Sequence, residues 1–167
     1  MKEPMPLNDV ANFHKTFNLP IIDEPGIPPK DRCKLRIALI EEELNELKEA
    51  IEENDIVEVA DAFCDIQYVL SGAILEFGLG NKFKDLFEEV HGSNMSKTCK
   101  TIEEANATQK FYLEQKGAES YIKKKGDEYL VYRKEDGKVF KSVNYSPADL
   151  KSILYRREDE VLDLEKI

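Results

Sequence analysis

Apolar residues recur at helical spacing through most of the first 117 positions. Ile37, Ile40, Leu44, Leu47 and Ile51 form one stripe of a helix predicted from about Lys30 to Glu53. "ENDIVE" breaks that pattern. Asp55 is placed to cap the next helix, and Glu58 stands three residues later, as in a capping box. The helix that follows, about 56 to 77, is apolar nearly all round and ends at "GLG". Ahead of this pair, residues 8 to 17 predict a short helix, and "NLPIIDEPGIPPK", with four prolines, predicts an extended connection. Behind it come a short helix, "KFKDLFEEV", and a loop, "HGSNMSKTCK". Thr101 and Glu104 then open a helix ending near Gly117 with a second capping-box pattern.

The period changes after Gly117. "EYLVYRKEDGKVFKSV" alternates apolar and polar residues around Asp136-Gly137, a hairpin signal. Ser146 and Pro147 predict the cap and first position of a last short helix. The final residues, "REDEVLDLEKI", are expected to fray. The fold class is therefore all-α, a helical bundle with a small C-terminal β-hairpin. Two regions are expected: a helical metal-binding domain over 1–117, and a hairpin and short helix over 118–167, packed on the domain or swapped between subunits.

Charge narrows the function. A net charge of -10 and a pI near 4.8 argue against a nucleic acid polymer as partner. A nucleotide remains open to an acidic protein if a divalent cation lies between carboxylates and phosphates. "MKEPMPLNDV" has no apolar run, so neither a signal peptide nor a membrane span is expected. Cys33, Cys64 and Cys99 are widely spaced, which predicts reduced thiols and a cytoplasmic setting.

"LIEEELNELKEAI", residues 39 to 51, raises the question of metal binding. Glu41, Glu42, Glu49, Glu52 and Glu53 point away from the apolar stripe, as a solvated face would. Glu43 and Glu46 instead share a row with Leu39 and Ala50, flanking the stripe. On the next helix Glu58, Asp61 and Asp65 lie on one narrow face, continued by Val69 and Gly72. Lys and Arg are absent between residues 49 and 81, so that segment supplies no counter-charge. Burying carboxylates without partners is costly. A divalent metal, or basic groups from elsewhere, must balance them. Competing structural roles are a capping box for Glu58 and a salt bridge from Asp65 to Arg36. Oxygen ligands select Mg²⁺ or Mn²⁺. A di-iron bundle needs two Glu-x-x-His patterns, and only Glu88 to His91 supplies one.

These residues resemble a known family. Glu42, Glu43 and Glu46 as "EExxE", then Glu58 and Asp61 as "ExxD", are similar to the motifs of the MazG-like all-α nucleoside triphosphate pyrophosphohydrolases. That group includes MazG, the dimeric dUTPases and the phosphoribosyl-ATP pyrophosphohydrolases. "EVHGSNMSK" resembles the Asn-x-x-Lys segment of MazG-like proteins, and "DGKVFKSVNYSPADLKSIL" the Lys-rich tail of a subgroup with dUTPase-type activity. The resemblance covers roughly residues 8 to 155.

It implies a MazG-like helical bundle completed by self-association, as a homodimer or homotetramer. It implies hydrolysis of a nucleoside triphosphate to the monophosphate and pyrophosphate. By the same resemblance Glu43, Glu46, Glu58 and Asp61 hold Mg²⁺, with Mn²⁺ as a substitute. Glu42, with Glu43, acts on the attacking water. Asn94 and Lys97 meet the phosphates or sugar, Lys97 also serving the reaction. Lys138, Lys141 and Asp65 are further substrate-binding candidates. House-cleaning of non-canonical nucleotides or dUTP is the expected role. Alternatives are phosphoribosyl-ATP hydrolysis in histidine biosynthesis and a non-catalytic oligomeric module. Phe13, Tyr68 and Tyr112 are expected in packing rather than base stacking.

Overall fold

Six helices and one two-stranded antiparallel sheet make up the computed structural model, which describes residue 2 and residues 4–156. The expected fold class holds. The fraying expected of "REDEVLDLEKI" falls outside the described residues. No helix among those described is long and apolar enough to cross a membrane. The chain forms two compact units, one up to Phe83 and one from Lys84 on.

The first unit contains α1 (Pro6–Thr16), α2 (Lys30–Glu52) and α3 (Ile56–Glu76). Prolines set the entries: Pro6 opens α1, and Pro29 precedes the first residue of α2. Asn54, at φ 57°, turns the chain between α2 and α3. Asp55 then caps α3, its side chain accepting from the backbone N–H groups of Val57 (2.9 Å) and Glu58 (3.2 Å). The two helices pack as an antiparallel hairpin, and α1 packs on α3. The Pro-rich connection crosses the end of α3, where Ile22 and Gly26 donate to the carbonyls of Leu75 and Phe77, each at 3.0 Å. Gly78 (φ +68°) ends α3; a Cβ there would overlap the Glu24 carbonyl.

The apolar stripe of α2 does not fill the core. Ile37 (57% exposed), Leu44 and Ile51 face solvent, while Arg36 and Ala50 are buried. On α3, Ile56, Phe63 (57% exposed) and Leu70 are exposed as well. Each set repeats every seven residues and so forms a row along its helix. Both rows stand roughly 100° round from the buried faces, in senses that bring them to one side of the hairpin.

The second unit contains α4 (Phe83–Met95), α5 (Ile102–Lys116), β1 (Ser120–Lys125), β2 (Glu128–Arg133) and α6 (Leu150–Tyr155). Four expectations shift here. The helix expected to stop at Val90 continues as α4 through Met95, so "HGSNM" is helical. The hairpin lies one turn earlier than Asp136-Gly137: β1 pairs with β2 around Gly126 (φ 61°). Asp136-Gly137 does reverse the chain, but only a single bridge, Tyr132 to Val139, follows. The last helix starts at Leu150 on an Asp149 cap, whose side chain accepts from the Ser152 N–H at 3.1 Å; Ser146 instead donates its N–H to the Ser96 hydroxyl at 2.9 Å. Thr101 caps α5 as expected, yet Glu104 reaches the N–H of Lys100 rather than that of Thr101. Cys99, Ala105, Val131 and Phe140 form the core of this unit, with Tyr112 stacked on Phe140 at 3.8 Å. All three cysteines are free thiols.

Candidate functional site

The α2–α3 packing turns Glu43 inward. Its Oε2 is buried and has no hydrogen-bond partner. Burial, and then the charges of Asp65, Glu46, Glu42 and Asp61, push its carboxyl above the ordinary glutamate range. The side of α2 that carries Arg36, Leu39, Glu43 and Ala50 is thus the packed one, and the apolar stripe flanks it, the reverse of what the sequence pattern suggests. Glu42 and Glu46 are exposed. On α3 Glu58 and Asp61 are exposed and Asp65 is half-buried. The cost of burial therefore falls on Glu43 and not on the whole acidic stripe of α3.

Two structural roles for these acids give way. The Asp55 N–H is donated to the Ala50 carbonyl at 3.0 Å, so Glu58 is not needed to complete a capping box. Arg36 does not pair with Asp65. It donates to Glu76 Oε1 at 2.7 Å, and Arg32 donates to the same carboxylate. Glu76 is 2% exposed. Burial raises its pKa, but the hydrogen bonds from Arg36 and Arg32 outweigh that and hold it below the ordinary range. His14, also buried, has Nδ1 2.8 Å from the Pro20 carbonyl and Nε2 3.2 Å from Arg36 Nη2. A carbonyl and a guanidinium fix the tautomer: Nδ1 donates and Nε2 accepts. Gly72 leaves room for this network, since a Cβ there would lie 2.6 Å from Arg36 Nη1. Sequence reading missed His14 and Glu76. The latter was signalled by continuing the α3 stripe four residues past Gly72.

The first unit therefore uses its two inward arginines on Glu76, and Glu43 keeps like charges for neighbours. Among the described residues no three His, Cys, Asp or Glu side chains converge as a formed metal set. Carboxylates without a counter-ion repel one another. The chemistry of the donors fits a hard divalent ion: all oxygen, one oxygen buried and unpartnered, no cation among them. Glu88 and His91 are exposed, and Glu88 faces Lys84 at 3.8 Å.

The remaining candidates lie in the second unit. Lys97 Nζ donates to Asn94 Oδ1 at 2.7 Å, just past the end of α4. Lys141 Nζ stands 4.0 Å from the centre of the Tyr145 ring, and the Tyr145 hydroxyl is 2.9 Å from that of Ser93. Asn94, Lys97 and Lys141 thus come to one place. Lys138 stays in the Asp136–Gly137 turn, its N–H on Asp136 Oδ1 at 3.1 Å. Tyr112 packs in the core, and Phe13 packs against Phe17 and Tyr68.

The model of the phosphoribosyl-ATP pyrophosphohydrolase family matches residues 10–94, just over half of the chain. An uncharacterized protein of Acanthamoeba polyphaga mimivirus is 36% identical over 89 residues, covering 48% of this chain. That match spans about a third (34%) of the relative's length. The family match takes in Glu42, Glu43, Glu46, Glu58 and Asp61 on the hairpin, together with Asn94 at the end of α4. With the helical fold, this match settles the family: the chain belongs to the phosphoribosyl-ATP pyrophosphohydrolase family, within the MazG-like superfamily.

Proposed function

We propose that the chain is a divalent-metal-dependent pyrophosphohydrolase that cuts a nucleotide between its α and β phosphates, releasing pyrophosphate. The Glu43 carboxyl carries this reading. Its buried oxygen has no donor and its neighbours are carboxylates, which raises its energy unless a cation arrives. Glu43, Glu46, Glu58 and Asp61 would hold Mg²⁺, or Mn²⁺ in its place. The ion would neutralise phosphate charge and polarise the attacking water. Glu42, with Glu43, would orient that water and take its proton. Asp65 would accept from a substrate hydroxyl. Asn94, Lys97 and Lys141 offer donors to phosphate oxygens, and Lys138 would join them only by extending from its turn.

The family match favours phosphoribosyl-ATP as the substrate to test first. House-cleaning of dUTP or non-canonical nucleotides is supported by a different observation. The tail carrying Lys141 lies outside the matched residues and is pinned beside Asn94 and Lys97. Product analysis separates them. The protein is incubated with phosphoribosyl-ATP, the canonical nucleotides, dUTP and damaged nucleotides, with Mg²⁺ or EDTA. Metal-dependent monophosphate and pyrophosphate support the reading, and the preferred substrate chooses between its two forms. Diphosphate and phosphate would overturn it by moving the cut to the β–γ bond, and no turnover by folded protein would overturn it in favour of a non-catalytic module.

We further propose a homodimer or homotetramer. The exposed rows Ile37, Leu44, Ile51 and Ile56, Phe63, Leu70 form an apolar face on a hairpin with few buried apolar side chains of its own. A second copy presents the same rows and would complete a four-helix bundle.

A further inference from the structure

The tail of the second unit is fixed in place by side chains. The Lys141 N–H is donated to the Tyr112 hydroxyl at 3.3 Å and the Val143 N–H to the Thr108 hydroxyl at 3.1 Å. Ser142 donates to Glu104, and Ser146 donates its N–H to Ser96. These bonds set Lys141 and Tyr145 against the end of α4 with little freedom left to lose on binding. At that end Ser93 is buried, and its hydroxyl meets the Tyr145 phenol. The Ser93 bond, Lys141 and Lys97 hold this phenol below its ordinary pKa, which makes it a stronger donor.

Two positive charges meet at this place. In a chain of net charge -10, Lys97 and Lys141 both act on one phenol, Lys141 Nζ lying 4.0 Å from the centre of its ring. The helix dipole alone accounts for one lysine near the end of α4. It does not account for a second brought from 44 residues away, nor for a tyrosine hydroxyl held between them.

We infer that Tyr145, braced by Ser93 and flanked by Lys97 and Lys141, is a binding residue for the pyrophosphate portion of the substrate, its O–H donating to a non-bridging phosphate oxygen. This rests on the proposed reaction and adds Tyr145 and Ser93 to the groups that serve it. Ser93 is a positioning residue, since it acts through the phenol.

The test uses the full chain and inorganic pyrophosphate as probe, without nucleotide. Binding is measured by calorimetry, and the tyrosine ultraviolet difference spectrum is recorded in the same titration. Wild type should bind and perturb a tyrosine. Tyr145→Phe, which removes one oxygen, should bind about tenfold more weakly and lose the spectral change. Lys141→Gln should weaken binding by a similar factor and keep a spectral change at saturation. Should Tyr145→Phe not fold, Lys141→Gln and Ser93→Ala carry the same comparison. Equal affinity in wild type and all folded variants overturns the inference, as does an absence of pyrophosphate binding. Turnover of a nucleotide alongside either result would leave the proposed reaction standing. Tyr145-dependent pyrophosphate binding without any turnover would leave the subsite standing and remove the reaction.

Discussion

Asp65 on α3 exerts the strongest charge effect on Glu43 of α2, and it is repulsive. Two carboxylates brought together by the packing of two helices, one with a buried oxygen lacking a donor, oppose the fold they sit in. Such an arrangement persists where a ligand supplies the missing charge.

Replacing Glu43 by Gln should therefore stabilise the metal-free protein at neutral pH. A carboxyl with a raised folded pKa binds its proton more tightly in the native state, so its ionisation lowers stability as pH rises through the folded value. Glutamine removes that loss. Thermal denaturation at pH 7 in EDTA should show Tm higher by roughly 2–4 °C. At a pH below the ordinary glutamate range the gain should vanish. A lower Tm at pH 7 would contradict this view of Glu43.

Glu76 works in the opposite direction. Its folded pKa is depressed, so its contribution is complete above the ordinary glutamate range and is lost as pH falls through the folded value. Glu76→Gln leaves Arg36 and Arg32 without their shared carboxylate and should cost about 3–5 kcal/mol. Denaturant titrations across the acid range should show a large loss at pH 7 and a flatter acid limb in the variant. Equal slopes would contradict the assignment.

Gly72 tests the same network by volume. An added methyl would press on Arg36 Nη1 and stand 3.1 Å from His14 Nε2. Gly72→Ala should therefore destabilise by about 1–3 kcal/mol, although alanine favours helices elsewhere. Chemical denaturation reads this directly, and a stabilised variant would show that the network can shift.

The exposed rows predict self-association through the hairpin. Phe63→Lys places a charge in the middle of the α3 row. Sedimentation should find wild type as a dimer or tetramer and the variant shifted at least tenfold toward monomer at equal concentration. Unchanged assembly would place the interface elsewhere.

Much of this was legible in the residues because it is local. Asp55 and Thr101 are caps, Gly117 ends α5 at φ 61°, and the prolines at 28 and 29 precede α2. The acids were legible too, from their spacing on two successive helices. What was not legible depended on partners distant in sequence. Ile37, Leu44 and Ile51 carry a core pattern, yet it is Arg36 and Ala50 that meet α3 in the single chain. Residues 123–125 of β1, all lysine, hide a strand whose place is set by pairing with residues 128–130. Ser146 has the pattern of a cap, yet it is bonded to Ser96, 50 residues earlier, and Asp149 caps the helix. The meeting of Tyr145 with Ser93 is of the same kind.

The most direct test of the account is Mn²⁺ binding to the full chain, measured by calorimetry for wild type and Asp61→Asn. Asp61 is exposed and its replacement should leave Tm within about 1 °C. The account predicts that wild type binds and that Asp61→Asn binds at least about tenfold more weakly, at unchanged fold. Equal affinity in the two proteins, or no binding by either, would contradict the claim that the α2–α3 carboxylates hold a metal.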